Sequence, residues 1–219
     1  VGSPLTQTFG LGCFGPPTSA HLETLEQFFA ARGADTQHEV STMADPAVLL
    51  LLGERGYRPI EWSAVLCQRL ETLPDAAPHI TVTRVPLSDA AHWADVSARG
   101  WAETPALAEF VRDFGLVGAG AEDTHSFLAL LDGTAVAAGS LHLHGGVALL
   151  AGASTVPEAR GRGAQQALLA ARLQFARDHG AELAMMVAAP GSASQRNAQR
   201  TGFHVVYSRV KWGRTADTP

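Results

Sequence analysis

The sequence predicts an α/β fold in which hairpin-linked strands alternate with helices, and three observations predict it. Short runs of alternating apolar residues recur between helices marked at both ends. The dipeptide Asp132-Gly133, suited to positive φ, joins two such runs as a hairpin. A glycine-rich turn, Arg160-Gly161-Arg162-Gly163, joins a late strand directly to a long amphipathic helix.

Taken in order, Thr18 or Ser19 caps a first helix carrying Leu22, Leu25, Phe28 and Phe29 and stopped by Gly33. Asp45-Pro46 starts a second, through Leu52, stopped by Gly56. Residues 39–43 and 60–66 read as strands. Two prolines in residues 73–78, among small and polar neighbours, mark a linker. Beyond it come a strand over 80–85, a helix from Ser88 to Arg99, and a helix from Thr104-Pro105 to Gly115. The hairpin 126–131/135–144 and a strand over 147–156 lead into the glycine turn. Its helix runs over 163–179, followed by strand 183–189, helix 192–201 and strand 203–212. Ser192 and Gln195 form the Ser-x-x-Gln pattern of a capping box, and Gly202 ends that helix.

Residues 28–66 laid over 175–212 give an internal repeat. Phe28, Gly33-Ala34, Val40 and Gly56-Tyr57 fall opposite Phe175, Gly180-Ala181, Val187 and Gly202-Phe203. The predicted organisation is therefore a degenerate half-copy over 1–73, a linker over 74–79 and a complete domain over 80–219.

Composition excludes several function classes. With 16 Lys plus Arg against 21 Asp plus Glu the net charge is −5, without the basic excess of a nucleic-acid binder. Two distant cysteines, Cys13 and Cys67, offer neither a disulfide framework nor a CxxC metal site, and no metal is expected. Glu122, Asp123 and His125 lack the convergent spacing of zinc ligands and read as loop residues. The tryptophans read as core or interface packing rather than a stacking platform for bases. No apolar stretch is long enough to span a membrane, and the first residues lack a signal pattern, so the expectation is a cytoplasmic protein.

A glycine-rich turn at a helix N-terminus leaves backbone N–H groups unpaired at the positive end of the helix dipole, which suits a phosphate. No Gly-Lys-Ser/Thr closes this turn, so it is not a P-loop. It also lacks the GxGxxG spacing of dinucleotide folds. Arg160 and Arg162 add local positive charge.

These residues resemble the GNAT superfamily of acetyl-CoA-dependent N-acetyltransferases, whose signature is Arg/Gln-x-x-Gly-x-Gly/Ala at a strand-to-helix junction. Arg160 and Gly163 match it, and Gln165 stands where Gly or Ala is usual. The element order over 80–212 is also that family's. The resemblance implies the GNAT acyl-CoA N-acyltransferase fold, a mixed, mostly antiparallel sheet flanked by helices. It also implies acetyl-CoA as co-substrate and an amine-bearing small molecule or peptide as acceptor, in a monomer or homodimer. It assigns Ser154, Thr155 and Val156 to the strand that pairs with the pantetheine arm. Arg160, Gly161, Arg162, Gly163, Ala164 and Gln165 fall on the pyrophosphate turn, and Asn197 on a second cofactor element.

Many family members carry a glutamate on the signature strand as base and a tyrosine in the last helix as acid. Here residues 147–156 hold no carboxylate, and the tyrosine position is Ala198. His144, which alternates onto one face with His142, and Tyr207 are the substitutes the sequence offers. The same two absences fit a second reading, a non-catalytic acyl-CoA sensing module. A third is a structural protein that keeps the fold alone.

Overall fold

The computed structural model describes residues 6–74 and 79–214. In chain order the elements are β1 (Thr8–Phe9), α1 (Ser19–Ala30), β2 (Gln37–Ser41), α2 (Ala47–Glu54), β3 (Arg58–Arg69) and β4 (Thr81–Val85). Then come α3 (Ala90–Arg99), α4 (Pro105–Ala119), β5 (Thr124–Leu131), β6 (Thr134–His144) and β7 (Val147–Thr155). The last are α5 (Ala164–Asp178), β8 (Leu183–Ala188), α6 (Ala193–Arg200) and β9 (His204–Gly213). Of the expected linker, residues 75–78 lie outside the described residues.

The chain forms two compact units. One holds the described residues of Val1–Leu66, Val187–Gln195 and Val205–Pro219, the other Cys67–Met186 and Arg196–His204. The final strand, expected within 80–219, thus lies in the first unit.

In the first unit the strand order is β1-β2-β9-β3. β2 runs antiparallel to β9, with His38 opposite Trp212 and Val40 opposite Val210. α1 starts where the sequence places it, because Thr18 and His21 close a reciprocal cap: the His21 N–H donates to Thr18 Oγ1 at 3.3 Å and the Thr18 N–H to His21 Nδ1 at 3.2 Å. Leu22, Val40, Val48, Leu52 and Tyr57 form the core. Beside it lies a polar cluster in which Glu26 accepts from Arg55 and from the Tyr57 hydroxyl. His38, fully buried against the Tyr57 ring, is bonded through Nδ1 to Thr8 Oγ1 at 2.8 Å.

The second unit holds the mixed, mostly antiparallel sheet that the sequence predicts. Its order is β8-β7-β6-β5-β4, antiparallel from β4 to β7, with β7 and β8 parallel. Asp132 and Gly133 take φ of 50° and 79° in the predicted hairpin turn. Trp93, buried on α3, donates its indole N–H to the Phe127 and Gly139 carbonyls and ties α3 to β5 and β6.

Two helix boundaries differ from the expectation. Gly115 does not stop α4, which continues to Ala119; the glycine serves packing, since a Cβ there would lie 2.9 Å from the Trp93 ring. Ser88 falls in a 3-10 turn, Leu87–Asp89, ahead of α3. Trp93 is buried in the core, whereas Trp62 and Trp101 are 52% and 41% exposed.

The two halves of the predicted repeat close their helices with the same bonds. Ala34 N–H donates to Phe29 O, as Ala181 N–H does to Ala176 O. Tyr57 N–H donates to Leu52 O, as Phe203 N–H does to Ala198 O. The intervening Gly33, Gly180, Gly56 and Gly202 all have positive φ. The element order helix, strand, helix, strand is likewise shared by α1-β2-α2-β3 and α5-β8-α6-β9.

Candidate functional site

β7 is where the second unit's sheet opens. Its parallel register with β8 runs from Val147↔Leu183 to Leu149↔Met185, and no further β7–β8 pairing follows among the described residues. From Leu150 to Thr155 one edge of β7 is thus without a paired strand, while β6 holds the other edge. Within this stretch Ala151, Gly152 and Ala153 are exposed. Two β7 residues, Gly152 and Ala153, stand opposite the single β6 residue Gly139, a bulge in which Gly152 takes a φ of 60°.

Beyond β7 the chain makes a 3-10 turn, Pro157–Ala159, and reaches α5 through two glycines of positive φ, Gly161 at 75° and Gly163 at 87°. Gly163 is the N-cap of α5, and no side chain caps that terminus. The first-turn N–H groups, from Ala164 onward, point out of the helix end with its positive dipole. The arrangement offers an anion several backbone donors and no blocking side chain.

The predicted site residues fare differently around this turn. Arg160 is held from three sides: Nη1 pairs with the Glu103 carboxylate at 2.9 Å, Nη2 donates to Gly100 O at 3.1 Å, and Nε to Thr155 O at 3.4 Å. It clasps the α3–α4 connection to the end of β7. Arg162 is exposed. Gln165 turns back to Thr155, donating to Oγ1 at 2.7 Å, so its amide is bonded to the strand rather than projecting from the turn. Ser154 is buried, and its hydroxyl donates to Ser97 O at 2.8 Å, which leaves the strand's main chain to face any ligand. Val156 is buried, with its N–H on Val136 O.

Asn197 is exposed on α6, where its side-chain oxygen accepts from Arg200 at 2.8 Å. Ser192 Oγ accepts from the Gln195 N–H, but the Gln195 side chain returns to the Gly191 N–H, one residue before the cap position. Ala198, where a tyrosine was sought, is buried.

His144 stands at the end of β6 beside the start of β7, where its place in the sequence puts it, and not at the turn. It pairs with Val147 at the start of β7, so nearly the whole strand, about 25 Å, separates it from Thr155. There it lines a hollow of about 440 Å³ with Asp123, His125 and His179. The His125 ring sits tilted against Phe175, which is itself stacked on His179, and burial followed by the nearby Arg84 charge lowers the His125 pKa. Tyr207 lies on β9 in the first unit. No group of three or more His, Cys, Asp or Glu among the described residues is placed to hold a metal, and none of the described helices is long and apolar enough to cross a membrane.

Sequence reasoning missed Glu103, Arg172 and the Gly139–Gly152 bulge. Arg172 left a signal: it falls on the apolar stripe of α5, one turn after Leu168, where a charge needs a reason. Glu103 left none, since its partner is 57 residues away.

The acetyltransferase (GNAT) family model matches residues 88–203. Among solved structures, the chain is similar to a GCN5-related N-acetyltransferase from Kribbella flavida, with 22% identity and a TM-score of 0.71 over 90% of this chain and 75% of that one. One from Sphaerobacter thermophilus gives 19% and 0.66 over 97% and 74%. A tandem GNAT protein from the clavulanic acid biosynthesis pathway gives 15% and 0.64 over 88% and 68%. No curated protein matches by sequence.

Proposed function

Because the chain belongs to the acetyltransferase (GNAT) family, we propose that it transfers an acetyl group from acetyl-CoA to a primary amine of a small molecule or peptide. The observation that carries this reading is one continuous feature. The unpaired edge of β7 from Leu150 to Thr155 leads directly into the uncapped N-terminus of α5. A cofactor with an amide-bearing arm and a pyrophosphate needs that combination: main-chain partners along a strand edge, then backbone donors for a dianion.

In this reading the arm lies along Ser154, Thr155 and Val156, and the N–H groups from Gly161 to Gln165 hold the pyrophosphate. Arg162 supplies the local charge, and Arg160 acts first as the clasp that fixes the turn against Glu103 and Gly100. The amine nitrogen attacks the thioester carbon, the N–C bond forms and the C–S bond breaks. The amine proton passes to water and the thiolate takes one from water. An amine with a pKa near 10.4 is almost wholly protonated at neutral pH, so catalysis on β7, which has no carboxylate, rests on orientation and on stabilising the developing oxyanion.

The first unit is, in this proposal, a degenerate half-copy of the same fold. The matching helix-closing bonds at Gly33 and Gly180, and at Gly56 and Gly202, support it, as does the likeness to a tandem GNAT protein.

Calorimetric titration with acetyl-CoA tests the proposal. Wild-type protein is expected to bind saturably, with Arg162→Glu weakening the affinity at least tenfold and Arg177→Glu, on the far end of α5, leaving it within twofold. Equal losses in the two variants, or no binding to wild type, would remove the assignment of the turn. Binding without turnover on a broad amine panel would favour the sensing reading, which the absent glutamate and tyrosine motivate.

A further inference from the structure

Arg172 is the most deeply buried cation among the described residues, 3% exposed, and no carboxylate forms a salt bridge with it. Its hydrogen bonds, made through Nε and Nη1, go to backbone carbonyls. Nε donates to Leu168 O at 3.1 Å, and Nη1 to Ser140 O at 3.0 Å and to Ala151 O at 3.4 Å. Burying a charge this way is costly, and a leucine would fill the same stripe of α5 without that cost.

The position it occupies gives the cost a purpose. The guanidinium lies under the bulge: a Cβ on Gly139 would come within 3.1 Å of it, so β6 has glycine where the guanidinium fits. The Ser140 hydroxyl joins in, donating to the same Ala151 carbonyl at 3.2 Å. The Ala151 carbonyl is therefore gripped by one donor from β6 and one from α5. In a planar trans peptide the N–H points opposite to the C=O. The grip thus turns the N–H of the Ala151–Gly152 peptide away from β6 and α5, on the exposed stretch of β7 that has lost its β8 partner. Hydrogen bonding of the carbonyl to a cation also polarises that peptide and strengthens its N–H as a donor.

We propose that Arg172 is a positioning residue for acyl transfer, holding the Ala151 carbonyl so that the Gly152 N–H faces the acyl-thioester oxygen. The inference rests on the acetyl-CoA reading above. It assigns Gly152 N–H as the group that touches the reacting carbonyl and Arg172 as the residue that aims it. Burial lowers the Arg172 pKa to about 10, which leaves the side chain charged at neutral pH.

The test uses acetyl-CoA labelled with ¹³C at the carbonyl, bound to the full chain and read by difference infrared spectroscopy, beside calorimetry with acetyl-CoA and with CoA. In wild type the carbonyl stretch is expected to fall on binding. Arg172→Met is expected to abolish that fall and to reduce acetyl-CoA affinity about fivefold, one hydrogen bond's worth, while CoA binding stays within twofold. Ser140→Ala, which leaves the buried cation in place, is expected to reduce the fall in part; together with Arg172→Lys it decides the matter if the methionine variant does not fold. A carbonyl shift that persists unchanged in Arg172→Met, or in both Arg172→Lys and Ser140→Ala, overturns the proposal. So does a wild-type complex whose carbonyl stretch does not move, a result that leaves the cofactor reading standing. Failure of wild type to bind CoA at all overturns both.

Discussion

Replacing Gly100 by alanine tests how tightly the end of α3 is set against the strand that leads to the turn. Gly100 has φ −65° and ψ −13°, an ordinary right-handed conformation, so its backbone does not require glycine. By conformational entropy alone alanine would stabilise the protein by about 0.4–1 kcal/mol. Space decides otherwise. The new Cβ would lie 2.5 Å from both Cβ and Oγ of Ser154 and 3.1 Å from the Thr155 nitrogen. Ser154 cannot swing aside, because its Cβ is fixed by the strand and its hydroxyl is bonded to Ser97 O. Restoring a carbon contact to about 3.5 Å needs a shift of about 1 Å in α3 or β7. Overpacking of this kind costs about 1–3 kcal/mol, so Gly100→Ala is expected to be a net loss of roughly 1–2 kcal/mol. At this chain length that lowers Tm by about 2–8 °C. Thermal melts of Gly100→Ala, Ser154→Gly and the double variant form the assay. The double variant should lose about 1 kcal/mol less than the sum of the singles, since Ser154→Gly removes both clashing atoms. A Gly100→Ala protein at or above wild-type stability, or strictly additive losses, would refute the close approach.

The same physics gives opposite signs on α4. Gly115→Ala should destabilise by about 1 kcal/mol, the 2.9 Å clash with Trp93 outweighing the helix gain, whereas Gly118→Ala, with nothing within 4 Å, should stabilise by about 0.5–1 kcal/mol; urea melts followed by tryptophan fluorescence compare them. In the first unit, burial, partly opposed by the Glu26 charge and aided by that of Arg214, depresses the His38 pKa to about 4. Between pH 6.5 and 4 the unfolded chain therefore takes up a proton that the folded chain refuses, and stability falls as pH falls, by up to about 3 kcal/mol. His38→Gln should flatten that slope, and an unchanged slope would rule His38 out as its source. Burial also raises Tyr57 to about 12, so stability should fall as pH rises from 10 towards 12.

How far the fold could be read in advance depended on the range of the interactions that set each feature. Caps and turns are local: Thr18 as the cap of α1, Asp132-Gly133, and the glycines at 33, 56 and 202 each declare themselves within a few residues, and the structure forms them as expected. Gly115 misled because its reason is tertiary. The same residue that ends one helix here fits beneath an indole ring in another, and a single sequence does not distinguish the two. The membership of β9 in the first unit follows from its pairing with β2, some 170 residues earlier, which alternation of side chains along the strand cannot announce.

The site divides along the same line. The glycine turn was readable because its shape is set by backbone, and only glycine allows φ of 75° and 87° there without strain. The arginines were harder, because charge in a sequence has no direction. Arg160 reads as an anion ligand, yet its guanidinium meets Glu103, whose carboxylate offsets that charge close to the turn. Arg172 reads as the polar interruption of an apolar helix, yet it has the more demanding environment of the two. If the cofactor's phosphates were held mainly by side-chain charge, a turn with one of its two arginines paired would be poorly equipped. If they are held by the N–H groups of an uncapped helix, the Arg160 clasp strengthens the site by fixing the backbone that carries those donors. Glu103→Gln separates these cases: it frees the Arg160 charge while loosening the clasp, so tighter acetyl-CoA binding would favour side-chain charge, and weaker binding the fixed backbone.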